Sequence, residues 1–309
     1  MTMTTTPLRL TSSGHELDVA SDNFGPLRDS SPDLGELGLL RQRMTEEGYL
    51  FLPGLLNRDE VLAARRTVCA RLLAQQLLDP TRDPMDAAAR PGAAVGAFQP
   101  QLLAADNAPL HRVLYTGPLM EFFRGLLCGP VRHFDFTWFR SIPHGPGTAS
   151  HCDVVYMGRG TPNLYTAWTP IGDISYELGG LMILEGSHRI QRLRDTYCTL
   201  DVDAHCANKD GPAGLDAWAK GTNGVLSDDP NRIRQSLGGT RRWLTGEYRA
   251  GDVLIFSIFT VHASLDNQSD RIRLTSDSRY QLASEPADER WIGENPSGHG
   301  PAAKKGLIC

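Results

Sequence analysis

The 309-residue chain has no apolar run approaching the roughly 18 residues that a membrane-spanning helix needs. Its N-terminal "MTMTTTPLRLTSSGHE" lacks the basic start and apolar core of a secretory signal. It has no basic cluster either: 31 Lys and Arg are scattered among 36 Asp and Glu, for a net charge of −5. That balance argues against nucleic acid or an anionic membrane as partner and leaves a small molecule as the expected one. Six cysteines stand at irregular spacing with no CxxC pair, so neither a disulfide framework nor a cysteine metal site is expected. They read as reduced thiols of a cytoplasmic protein. Cys309 is the last residue of the sequence, with no residues after it to form a prenylation motif, so none is expected. Nothing in the sequence sets an oligomeric state.

What is present changes in texture along the chain. Residues 1–30 are polar and Ser/Thr-rich, and are expected to form a flexible tail before a single domain over 31–290. A further tail is expected over 291–309. The first part of the domain, 31–130, has helical periodicity. Leu37, Leu40 and Met44 lie at helical spacing ahead of Gly48, a C-terminal stop. "YLFLPG" reads as a short strand. Asn57 caps the clearest helix, with Glu60 three residues on and Val61, Ala64, Val68 and Leu72 along one face. A further helix is expected over Pro118 to Leu127.

Over 131–285 the pattern becomes that of a β core. "RHFDFTWFRSIP" alternates Phe134, Phe136 and Trp138 in the manner of one half-buried strand. "NLYTAWTPI", "GGLMILEGS", "DVLIFSIFTVHAS" and "RIRLTSDSRYQL" are short runs bounded by turn residues, a pattern of sandwiches and barrels. About fifty polar residues, 199–249, read as a lid-like insertion.

His151 and Asp153 are two residues apart, so an extended backbone would point both to one side. A third ligand is needed, and His262, after the run "DVLIFSIFTV", is the best placed of nine histidines. "LDNQSD" reads as a hairpin turn that sets Arg273 opposite His262, with Ser264 on the same face. Two histidines and one carboxylate leave three metal positions open, which suits non-haem Fe(II). A 2-oxo acid would fill two of them while Arg273 grips its distal carboxylate, and O2 would take the third.

The motifs "HCD", "AWT", "GGLMILEGSHR", "GDVLIFSIFTVHAS" and "RIRLTSDSR" resemble the phytanoyl-CoA dioxygenase family of Fe(II)/2-oxoglutarate oxygenases, over about Gly48 to Leu282. The resemblance implies a mainly β protein with flanking α-helices, its core a double-stranded β-helix of the jelly-roll, cupin-like type. It implies His151, Asp153 and His262 as metal and catalytic residues. Arg273, Trp168 and Ser264 are implied to contact 2-oxoglutarate. The implied reaction consumes O2, releases succinate and CO2, and hydroxylates an unactivated C–H of a small metabolite or natural-product intermediate. Desaturation, cyclisation and epimerisation use the same cofactor chemistry. Asp153 favours hydroxylation over halogenation, for which relatives carry a small residue in its place.

Several signals have plainer readings. His188 in "GSHR" is expected to orient a turn, and His133 and His144 to lie at the surface or behind the site. His205, beside Cys206, falls in the insertion and is read as a bystander. Arg271 is expected to face solvent. Arg232, Arg234, Arg241 and Arg242 offer a weaker site for an anionic group. A zinc hydrolase on the same three ligands would leave Arg273 without a role, and a non-catalytic cupin-like module would not need the triad.

Overall fold

A computed structural model describes residues 9–203 and 224–299. In chain order the elements are β1 (Thr11–Ser12), β2 (His15–Glu16), β3 (Phe24–Pro26), α1 (Leu37–Glu47), β4 (Tyr49–Leu52), α2 (Arg58–Ala74), α3 (Pro100–Leu103), α4 (Ala108–Tyr115) and α5 (Gly117–Leu127). They continue with β5 (Val131–His133), β6 (Trp138–Ile142), α6 (Val154–Met157), β7 (Tyr165–Pro170), β8 (Leu181–Leu184), α7 (Gln191–Asp195) and α8 (Pro230–Ser236). Last come β9 (Trp243–Thr245), β10 (Val253–Ser257), β11 (His262–Ser264) and β12 (Arg273–Leu282). No described helix is long and apolar enough to cross a membrane.

The helices form where their end chemistry predicts. Gly48 closes α1 in the left-handed region at φ +79°, and the Asn57 side chain accepts the amides of Asp59 and Glu60 at the start of α2. Gly48 has a second reason to lack a side chain: a Cβ there would run into the ring of His188. That ring bonds to the Thr45 carbonyl at 2.9 Å, so His188 fastens a turn to α1, as its plainer reading held.

Strands β4-β10-β7-β12-β5 make the larger sheet, with β6 also paired to β12; β11-β8-β9-β3 make the smaller one. The larger sheet is covered on both faces, and alternate residues of its strands sort between them. Leu50, Leu52, Ala167, Val253, Ile255 and Leu274 pack under the helices, against Val61, Val68, Leu110 and Phe123. Tyr49, Trp168, Leu254 and Phe256 point the other way, onto Leu181, Ile183 and Leu244 of the smaller sheet. This is the sheet-rich, helix-flanked architecture that the sequence implied. On the face of β12 opposite Leu274 stand Arg273, Thr275, Asp277 and Arg279, inside the sandwich and almost wholly polar.

Four boundaries differ from the sequence reading. Residues 9–30 are not a free tail: β3 joins the smaller sheet in parallel with β9, and Leu17 is buried. The 199–249 stretch is not all insertion, since β9 is an inner strand of that sheet. Part of the stretch, including His205 and Cys206, lies outside the described residues. The run from Arg132 to Ile142 is two strands, because the Asp135 and Phe136 amides leave the ladder to bond the Trp291 carbonyl. The same contact draws the expected C-terminal tail inward: Trp291 is buried, with its ring 4.7 Å from that of Trp138.

Candidate metal centre and its two cavities

The three expected ligands meet. His151 and His262 exchange backbone hydrogen bonds, each amide donating to the other's carbonyl at 3.0 Å, which places the imidazole centroids 4.2 Å apart. Asp153 joins them by a different route from the one expected. Its backbone is right-handed helical, φ −66° and ψ −25°, at the start of α6, so strand alternation does not aim it. Cys152 between them turns away into the core, where its thiol donates to the Phe259 carbonyl at 3.4 Å.

The protonation pattern follows from the partners. The Nδ1 of His151 lies 2.8 Å from the Ala149 carbonyl, and that of His262 lies 3.0 Å from the Thr260 carbonyl. A carbonyl only accepts, so each Nδ1 carries the proton and each Nε2 offers a lone pair. Both Nε2 atoms face Asp153 Oδ1, at 3.8 and 3.7 Å. Burial, then the neighbouring His262, pushes His151 down to about 3 against the pull of Asp153; burial also lowers His262. Burial alone would raise Asp153, but Arg279 and the two histidines hold it below the usual carboxylate range. Two neutral nitrogens and an anionic oxygen, all buried, converge within 4.8 Å of one another. Two imidazole lone pairs and a carboxylate oxygen aimed at one point fit a divalent metal.

The other carboxylate oxygen shows what the sequence reading missed. Asp153 Oδ2 accepts from the Thr166 hydroxyl at 2.5 Å and from Arg279 Nη2 at 3.0 Å. Arg279 also donates to the Asp277 carbonyl at 2.6 Å and lies 4.3 Å over the Trp138 ring. Arg140 donates through Nε to Asp277 at 2.6 Å. A usable signal existed: Arg273, Thr275, Asp277 and Arg279 share one parity, and four polar residues on the inner face of a core strand mark a site.

Arg273 occupies the far end of the first of two cavities, a narrow cleft that also borders His151, His262, Thr166, Trp168 and Phe256. It is 1% exposed, yet no carboxylate pairs with it among the described residues. Its contacts are the Gly179 carbonyl, the Leu265 carbonyl at 3.4 Å and the Ser264 hydroxyl at 3.1 Å, and its Nε has no partner. Burial, then Arg140, lowers it to about 10, which leaves it cationic at neutral pH. A buried cation without a counterion is a receptor for an anion, and a dicarboxylate reaching from the metal fits.

Trp168 walls this cleft. Ser264 acts one step back: its Oγ receives the Thr148 amide at 2.7 Å and holds Arg273. The expected hairpin is absent. β11 pairs with β8 and β12 with β7, so His262 and Arg273 lie on opposite sheets and meet across the sandwich. Arg271 is exposed, as expected. Arg232, Arg234, Arg241 and Arg242 line neither cavity. Arg242 pairs with Glu185 at 2.9 Å, and Arg234 bonds the Gly239 carbonyl at 2.8 Å.

The second cavity, about 270 Å³, shares Arg140, Thr148, His151 and Arg279 with the first and extends to Phe98, Trp138, Tyr156, Met157 and Val225. A metal pocket with a cleft ending at a buried arginine, and a roomier chamber adjoining it, fits an oxygenase that uses 2-oxoglutarate.

The comparisons with known proteins narrow the class. The phytanoyl-CoA dioxygenase (PhyH) family profile matches residues 44–275, and the chain belongs to that family. It is an Fe(II)- and 2-oxoglutarate-dependent oxygenase consuming O2. A 1-deoxypentalenic acid 11-beta-hydroxylase of Streptomyces exfoliatus is 25% identical over 282 residues, covering 85% of this chain and 88% of that one. Its counterpart in Streptomyces arenae is 26% identical over 289 residues, with the same coverage. The non-haem α-ketoglutarate-dependent epimerase SnoN from nogalamycin biosynthesis has a similar fold, with TM-score 0.53, 21% identity and coverage of 86% and 93%. The apo form of EctD from S. alaskensis is also similar, with TM-score 0.55, 17% identity and coverage of 90% and 87%.

Proposed function

We propose that this enzyme hydroxylates an unactivated C–H of a small, largely apolar molecule held in the second cavity, the kind of activity for which the Streptomyces relatives are named. His151, Asp153 and His262 hold ferrous iron, and Arg273 binds the distal carboxylate of 2-oxoglutarate, with Ser264 fixing the guanidinium and Trp168 closing the cleft. Once bound, the metal and cosubstrate supply O2-driven oxidation, in which the oxo-acid becomes succinate and CO2 and one oxygen atom enters the substrate.

The chain's own residues do the rest. The Ala149 and Thr260 carbonyls keep both imidazoles in the metal-binding tautomer. Thr166 and Arg279 hold Asp153 by one oxygen and leave the other for the metal. Trp138 and Met157, both buried, give the chamber apolar surface for the substrate. The observation that carries the reading is the buried, uncompensated Arg273 across the cleft from the triad.

Anaerobically iron-loaded protein, exposed to O2 with 2-oxoglutarate, is expected to form succinate in proportion to oxo-acid consumed. Arg273→Ala is expected to abolish this at low 2-oxoglutarate. Equal succinate from the variant, or none from the wild type with any divalent metal, would overturn the assignment.

A further inference from the structure

We propose that the second cavity selects an apolar molecule bearing one carboxylate, and that Arg140 binds that carboxylate. The proposal rests on the oxygenase reading above and assigns the substrate class of the same site.

The three arginines of the site are not equivalent. Arg279 borders both cavities but is committed to Asp153 and to the Asp277 carbonyl, and Arg273 faces the cosubstrate cleft. Arg140 borders both cavities and is half-buried, with part of its guanidinium open to the chamber. Its Nε is tied to Asp277, and the Phe98 ring lies 5.9 Å from its guanidinium carbon. Its two terminal nitrogens have no protein acceptor among the described residues. The side chain is thus fixed in place with its outer fork free, the arrangement suited to a bidentate carboxylate.

Charge balance points the same way. The site holds three guanidinium groups against the carboxylates of Asp153 and Asp277, one positive charge in excess. A ferrous ion and doubly ionised 2-oxoglutarate cancel each other and leave that excess in place. A substrate monoanion removes it, whereas a neutral substrate leaves that charge uncompensated beside the metal.

Phe98, Trp138, Met157 and Val225 give the chamber an apolar wall, while Thr148, Tyr156, Arg279 and His299 also border it. Its 270 Å³ lies just below the roughly 300–1,000 Å³ usual for small-molecule pockets. One free fork and this volume do not match a coenzyme A thioester with its several phosphates. Since His151 and Asp153 border the same chamber, anchoring the carboxylate at Arg140 would fix which C–H of the ligand faces the metal.

Equilibrium binding tests this with 1-adamantanecarboxylate and the neutral 1-adamantanecarboxamide as probes. Both are titrated calorimetrically into anaerobic enzyme loaded with Fe(II) and 2-oxoglutarate. The wild type is expected to bind the acid at least about tenfold more tightly than the amide, the worth of one charge-assisted pair. Arg140→Gln is expected to bring that ratio to about one, and Arg140→Lys to retain most of it. Affinity for 2-oxoglutarate should change less than about threefold in each. Because Arg140→Gln strips Asp277 of its cation, the Arg140→Gln/Asp277→Asn double variant repeats the measurement without an unpaired charge. The proposal is overturned if the acid binds no better than the amide or not at all. A preference that survives Arg140→Gln also overturns it. So does a parallel loss of 2-oxoglutarate affinity, which would assign Arg140 to the cosubstrate. Failure of the oxygenase reading would show separately, as wild-type protein that does not bind 2-oxoglutarate with metal.

Discussion

The two ends of β12 carry the same residue to opposite effect. Arg273 and Arg279 are six positions apart on one face, roughly 20 Å along a strand, and are 1% and 2% exposed. Arg279 meets a carboxylate at 3.0 Å, whereas Arg273 meets only carbonyls and a hydroxyl. One end of the strand is electrostatically complete within the chain; the other is complete only with a ligand. A buried charge that the fold pairs supports structure and positions a neighbour. A buried charge that the fold leaves unpaired is held for something that arrives.

The contrast predicts different failures. Arg279→Gln leaves Asp153 buried without its cation, which costs roughly 3–5 kcal/mol in the metal-free protein. Metal stabilises only the folded state, so a weaker metal site adds to that loss on loading. Metal affinity should fall about 10- to 100-fold, the usual effect of losing a group that orients a ligand. Urea unfolding with and without a divalent metal, together with metal titration, reads both. A variant that weakens 2-oxoglutarate but not metal would erase the distinction between the two ends.

Arg273→Met removes an unpaired charge, so the metal-free protein should be as stable as the wild type or more so. Affinity for 2-oxoglutarate should fall about 10- to 100-fold, with metal affinity within twofold. Destabilisation matching that of Arg279→Gln would mean that Arg273 is structural after all.

The triad was legible in the sequence because HxD is joined by a His at the end of the run "DVLIFSIFTV" and by Arg273 after it, and metal chemistry needs those atoms wherever the backbone runs. The routes to it were less legible. "LDNQSD" does carry turn chemistry, since Asn267 Oδ1 accepts from the Ser269 amide at 3.0 Å and from its hydroxyl at 2.7 Å. Yet Asn267 Nδ2 bonds the Ile142 and Arg271 carbonyls, and the chain uses the turn to change sheets instead of folding into a hairpin. Local residues specify a bend and not its destination. β3 was hidden for a related reason: its parallel pairing with β9 is non-local, and "FGP" has no strand periphery of its own. Thr166 and Arg140 were invisible because their roles depend on register across β7, β12 and β6, which places Thr166 beside Arg279 and Arg140 beside Thr275.

Acid should act on the triad end before the Arg273 end. In the folded, metal-free protein, burial holds His151 down to about 3 and lowers His262, while the unfolded chain takes up these protons near 6.5. The folded pKa values are the lower ones, so the stability they carry is present above about pH 6.5 and is lost as pH falls toward 3. Asp153, also depressed, adds a loss in the same direction at lower pH. Each histidine should cost about 1.4 kcal/mol per unit of pH below 6.5 until its folded value is reached. Unfolding midpoints from pH 7.5 to 5 should fall for the wild type and for Arg273→Met alike, with a shallower fall for His151→Gln. Flat stability over that range would show that the imidazoles are not held neutral.

The smallest expected effect isolates the hydroxyl that shares Asp153 with Arg279. Thr166→Val keeps the β-branched shape on β7 and removes one hydrogen bond to Asp153 Oδ2, leaving Arg279 in place. With the cation still paired, the loss is that of a single bond to a charged acceptor, about 1.5 kcal/mol, or roughly tenfold in metal affinity. Affinity for 2-oxoglutarate, measured with saturating metal, should stay within twofold, since the bond to Asp153 does not reach Arg273. Thr166→Ser restores the hydroxyl and should recover metal affinity. If valine binds metal as threonine does, Arg279 alone positions the carboxylate, and the internally completed end of the strand rests on one charge and not on a pair of donors.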